Sequence, residues 1–160
     1  MSKPLWFEIA HKYVGVKEVP GPGTHPLIAS WLVNLKAWWT GDAVPWCGVF
    51  CAAVMKEAGL PYPKLYMRAK AWSDYGSLLR RDRLSPGAIL VFARSGGGHV
   101  GFYAGEDDNY YYVLGGNQGN AVNISKIAKS RCIAARWPKG VSVIDGPVRM
   151  AGGQLSGGEA

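Results

Sequence analysis

At 160 residues, 48% of them apolar and 18% charged, the chain suits one domain with a real core and is too short for two. Its formal charge of +7 and pI near 9.4 favour an anionic partner: nucleic acid, an acidic envelope polymer or phospholipid. The basic residues, such as Lys64, Arg68, Lys70, Arg80, Arg81 and Arg83, are scattered and accompany no nucleic-acid-binding motif, so no nucleic acid is expected as partner.

From the N-terminus, "PLWFEIAHKYVGV" (4–16) reads as an amphipathic helix with Leu5, Ile9 and Tyr13 on one face and Pro4 near its start. "VPGPGTHP" (19–26) is a loop by its Pro and Gly density, and "LIASWLVNLKAWW" (27–39) a second helix. "TGDAVP" breaks the chain before a third helix from about Trp46 to Ala58, which Gly59 ends. There Cys47, Phe50, Cys51, Val54 and Ala58 keep the 3-4 spacing of a buried stripe. "AKAWSDYGSLL" (69–79) is a further short helix or turn. After Pro86-Gly87 the period changes, and 88–93, 99–105, 110–118, 121–127 and 132–138 read as short strands. Helices followed by strands on short links predict an α+β domain with an antiparallel sheet of about five strands over residues 1–140. Residues 141–160 carry little pattern and are expected to be an extended or flexible tail.

Three cysteines without C-x-x-C spacing, and no Cys/His set at zinc spacing, argue against a disulfide framework or a structural zinc site. No apolar run is long enough to span a membrane, and the first residues lack the apolar stretch of a signal peptide. The expectation is synthesis in the cytoplasm.

Cys47 stands where a helix start aims free N–H groups and a positive dipole end at the sulfur, which lowers a thiol pKa. Burial as a small hydrophobe is the competing role, and it is the default for Cys51 and Cys132. Of three histidines, His11 sits in the first helix and His25 in a loop, both in ordinary roles. His99 opens "HVGFYAG" after "RSGGG", where an imidazole can project into a cleft while Val100 and Phe102 face the core. If 107–109 is a three-residue hairpin loop, Glu106 pairs with Tyr110, and counting seven each way sets His99 opposite Asn117. Cys47, His99 and Asn117 would then make a nucleophile, a base and an orienting amide. A turn role for Asn117 and a core role for Cys47 stay open on these signals alone.

"PWCGVFCAAVMKEAGL", "LSPGAILVFARSGGGHVGFYAG" and "VLGGNQGNAVNIS", in that order, resemble the CHAP/NlpC-type papain-like cysteine hydrolases, most closely a branch found in phage genomes and bacterial cell-wall hydrolases. The resemblance covers roughly residues 1 to 138. It implies a papain-like core, a Cys47–His99–Asn117 catalytic set and hydrolysis of a peptidoglycan amide bond. Many such chains carry an acidic residue shortly before the Asn; Gly115 stands there instead. Calcium-binding members carry several acids ahead of the Cys, whereas only Asp42 closely precedes Cys47, so neither a metal nor another cofactor is expected. Trp46 and Trp72 are candidate substrate-binding aromatics, with core packing as the competing role.

A basic single domain of this kind suits a monomeric phage endolysin, made in the host cytoplasm and acting on the wall after release, without stable membrane insertion. An exported amidase toxin or a phage tail-associated hydrolase is the first alternative. A non-catalytic module that binds cell wall or nucleic acid is the second.

Overall fold

A computed structural model of the protein describes residues 3–19, 25–38, 46–143 and 145–150. The polypeptide runs through helices α1 (Leu5–Lys12), α2 (Pro26–Asn34) and α3 (Cys47–Glu57) before it enters the sheet. The strands are β1 (Ser77–Leu78), β2 (Ile89–Arg94), β3 (Gly97–Glu106), β4 (Tyr110–Gly115), β5 (Asn123–Ala128) and β6 (Cys132–Trp137). They form one antiparallel sheet in the order β1-β6-β2-β3-β4-β5. This is the expected α+β architecture, with six strands rather than about five. The extra one is the two-residue β1, which ends the segment read as helix or turn and pairs with the outer edge of β6. The loop segments 20–24 and 40–45 lie outside the described residues.

The helices differ from the sequence reading in which face they bury. In α1 the buried residues are Trp6, Phe7, Ile9 and Ala10, while Leu5 is exposed. Ile9 and the half-buried Tyr13 keep the expected face, but the two aromatics take the place of Leu5 because they have more apolar area to cover. Trp6 also donates from Nε1 to the Gly87 carbonyl at 2.8 Å, which fixes α1 to the turn before β2. Helix α2 stops at Asn34, five residues short of the expected end. Lys36 takes a left-handed φ of 54°, and the N–H groups of Lys36 and Ala37 close back onto Val33 and Leu32.

Helix α3 is central. Its residues from Cys47 to Ala52, with Val54 and Met55, are buried on every side rather than along a stripe. Phe50 meets Trp31 of α2 and Phe102 of β3, and the Cys51 Sγ lies 3.8 Å from the Val100 carbonyl. Gly48 permits this crowding: a Cβ there would come within 2.0 Å of the Tyr66 carbonyl oxygen. Gly59, at φ +76°, ends the helix region as expected.

The β3–β4 hairpin pairs Glu106 with Tyr111, and a bulge between Tyr103 and Gly105 returns the register to Tyr103↔Val113 and Phe102↔Leu114. Residues 141–143 and 145–150 are extended, and part of this stretch is docked. Glu106 N–H donates to the Val148 carbonyl at 2.8 Å, and Met150 N–H donates to the Glu106 carbonyl at 2.9 Å. Glu106 itself is tied down by Tyr103 Oη at 2.7 Å and Lys129 Nζ at 2.6 Å.

Candidate active site

Cys47 is the first residue of α3, and no side chain caps that helix start. Residues 46 to 50 must be helical for the buried Phe50 and Cys51 to reach the sheet, so the first-turn N–H groups are left pointing at position 47. The thiol lies on the wall of a cleft of about 450 Å³, together with Arg68, Lys70, Arg94, Gly98 and Asn117. Burial pushes the Cys47 thiol above its ordinary value. The N–H groups of Val100, Gly48 and Cys47 itself, and the Arg94 charge, act in the opposite direction. The helix start alone therefore does not give a resting thiolate, contrary to the expectation of a lowered pKa: the sulfur is too well desolvated.

The N–H of Val100 is among the groups acting on the sulfur, so β3 passes the thiol one residue after His99. His99 does not project into the cleft. It is 2% exposed, packed beside Phe92 of β2, and hydrogen-bonded through Nε2 to Gln118 Oε1 at 2.8 Å. Burial drives its pKa down to about 4; the Gln118 bond raises it, and the charges of Arg94 and Arg131 lower it further. Both groups are thus held in their neutral forms at neutral pH.

The side chain hydrogen-bonded to His99 is that of Gln118, not Asn117. No hydrogen bond joins Asn117 to the imidazole among the described residues. The chain leaves β4 at Gly115, and Asn117 adopts φ +58°, a turn conformation. Its side chain lines the cleft beside Cys47, and the residue after it reaches the imidazole. Gly115 is needed there, since a Cβ would stand 2.6 Å from Gln118 Oε1 and 3.4 Å from His99 Nε2.

The network around Gln118 also fixes the proton on the imidazole. Gln118 Nε2 donates to the carbonyls of Val113 at 3.1 Å and Asn123 at 2.8 Å, and to Asn123 Oδ1 at 3.0 Å. Asn123 is held in turn, its Nδ2 donating to the Gln118 carbonyl and its Oδ1 accepting from Ser125 Oγ. Backbone carbonyls can only accept, so the amide nitrogen faces them and Oε1 faces His99. His99 must then donate from Nε2, which leaves Nδ1 as an unprotonated acceptor. That Nδ1 is buried with no hydrogen-bond partner among the described residues.

Trp46 and Trp72 do not line the groove. Both are buried: Trp46 donates to Glu18 Oε2 at 2.9 Å and Trp72 to the Tyr66 carbonyl at 3.0 Å. Their indoles found partners inside the fold, so the packing role holds. Gln118 adjoins Asn117 in "GGNQ", so the sequence signal for it is the same Gly-rich turn. No group of three or more His, Cys, Asp or Glu side chains able to hold a metal occurs among the described residues.

A cysteine at the start of a central helix, laid on an antiparallel sheet whose strand β3 passes the thiol at Val100, one residue after His99, is consistent with a papain-like fold. The family model described as CHAP domain matches residues 39–117, a match consistent with a CHAP/NlpC-type cysteine peptidase or amidase. The match takes in Cys47, His99 and Asn117 and ends one residue before Gln118. No curated protein matches the chain. A CHAP domain implies amidase or peptidase activity on peptidoglycan.

Proposed function

We propose that the protein is a cysteine hydrolase that cleaves an amide bond of peptidoglycan, with Cys47 as nucleophile, His99 as base and Gln118 as the residue that orients it. The observation that carries this reading is the placement of Cys47 on the cleft wall, where β3 brings in His99 with Nδ1 free to accept. As the carbonyl carbon approaches, the Cys47 proton passes to Nδ1 and the sulfur forms a C–S bond. The oxyanion is held by N–H groups at the start of α3. Its collapse breaks the C–N bond, and Nδ1 returns the proton to the leaving amine. Water then attacks the thioester, giving one proton to Nδ1, which passes it back to the departing thiolate. Because both groups rest neutral, proton transfer accompanies attack rather than preceding it.

The setting we favour is a phage endolysin, made in the host cytoplasm and acting on the wall after release; the charge of +7 supports dwelling on an anionic envelope. The test is digestion of purified peptidoglycan by wild type and Cys47→Ala, with released fragments identified by mass spectrometry. New amine and carboxyl ends from wild type only are expected. Equal release by the variant refutes the mechanism.

A further inference from the structure

The cleft beside Cys47 has a one-sided charge. Arg68, Lys70 and Arg94 line it, and no Asp or Glu among the described residues does. None of the three cations has a hydrogen bond or ion pair to another described residue. Four cations elsewhere, Lys12, Arg80, Lys129 and Arg149, are each matched to a carboxylate. Three like charges thus border one concavity with no carboxylate on its wall among the described residues. The arrangement gains by meeting an anion brought from outside.

The position of the charges bears on the reaction. Arg94 acts electrostatically on both Cys47 and His99, so an anion paired with it would lie close to the reacting atoms. Arg94 and Gly97 are the paired residues that close the β2–β3 hairpin across Ser95-Gly96, so the guanidinium rides on a short, sheet-anchored turn. Lys70 packs its stem against Gly98, where a Cβ would meet Lys70 Cγ at 3.1 Å. The ammonium is thereby carried on the opposite wall, from the 310 turn at Ala69–Asp74.

We infer that Lys70 and Arg94, with Arg68 at the rim, form a carboxylate-binding subsite that selects substrates bearing a free carboxylate beside the scissile amide. The inference rests on the hydrolase reading above for its substrate, a stem peptide of the wall. Such a peptide offers two carboxylates, the α-carboxylate of a γ-linked glutamate and the C-terminal one. Either would replace its water with charge-assisted hydrogen bonds, bidentate in the case of Arg94.

The test uses synthetic stem peptides in matched pairs. One pair differs only in free acid or carboxamide at the glutamate α-position, the other only at the C-terminus. Wild type is expected to favour the acid of one pair by about tenfold in kcat/KM, mostly through KM. Which pair discriminates identifies the carboxylate. In the Lys70→Gln/Arg94→Gln protein that ratio should fall towards one, with an unchanged melting temperature, since both side chains are exposed. Equal cleavage of acid and amide by wild type, or a preference that survives in the double variant, overturns the inference. If wild type cleaves none of the peptides, it is the hydrolase reading on these substrates that fails. The subsite is then read from calorimetric titration of Cys47→Ala with the same pairs. Tighter binding of an acid, lost on adding the two Gln substitutions, upholds it; no discrimination overturns it.

Discussion

Replacing Gln118 by Ala isolates the contribution of the amide that holds His99. The side chain is fully buried and accepts from the His99 Nε2–H while donating to the Val113 and Asn123 carbonyls and Asn123 Oδ1. Asn123 Oδ1 keeps its bond from Ser125, but the buried imidazole N–H and Val113 carbonyl each lose a partner. Each such group costs about 1–3 kcal/mol, so the variant should lose roughly 3–5 kcal/mol of stability. Activity should fall further than stability explains. Without the amide both imidazole tautomers become available, and the one protonated on Nδ1 cannot accept the thiol proton. A loss of about 10²–10⁴ in kcat/KM is expected at a temperature where circular dichroism shows the variant folded. The direct readout is the nitrogen-detected NMR spectrum of His99, which should show the wild-type proton on Nε2 and a mixture in the variant. A wild-type proton on Nδ1, or full activity in a folded Gln118→Ala protein, refutes the orientation argument.

Acid should destabilise the protein through His99. Its folded pKa is depressed from 6.5 to about 4, so the unfolded chain takes up the proton first as pH falls. The associated stability is complete above pH 6.5 and is lost progressively between 6.5 and about 4, amounting to about 3 kcal/mol; urea midpoints across that range check it, and His99→Gln should flatten the slope. Of the two α3 cysteines, Cys47 on the cleft wall should alkylate well before Cys51, and the Cys47 rate should still be rising at pH 9 because burial lifts its thiol. A rate that levels off near pH 7 contradicts this. Gly48→Ala places a methyl group 2.0 Å from the Tyr66 carbonyl oxygen and should lower stability by ~3 kcal/mol or more in thermal unfolding.

The fold was largely legible because periodicity changes sharply after Pro86-Gly87, and because Gly59 and the β-rich runs mark their own ends. The errors came where tertiary packing outvotes local pattern. Leu5 has the right spacing for the core, yet Trp6 and Phe7 take it. The sulfur of Cys47 has the helix start that lowers a thiol, yet the depth needed by Phe50 and Cys51 buries it. The third site residue shows the limit most clearly. Counting through a three-residue loop aligned His99 with Asn117, whereas the actual hairpin has a longer loop and a bulge that compensates by one residue. The register at Phe102↔Leu114 thus matches that count, but β4 ends at Gly115, two residues before Asn117. Once the chain turns at Gly115, alternation no longer tells which side chain faces inward, and only the left-handed backbone at Asn117 decides it.

The docking of Val148 and Met150 on Glu106 has a practical consequence. Glu106 ends β3 and His99 lies near its beginning, seven residues of extended strand away, or roughly 23 Å. A cargo joined directly after Met150 would leave from the far end of the sheet, clear of the cleft mouth. The protein is therefore suited to carry a targeting module or a fluorescent reporter at that point, with the cleft and the added function on separate ends of one strand.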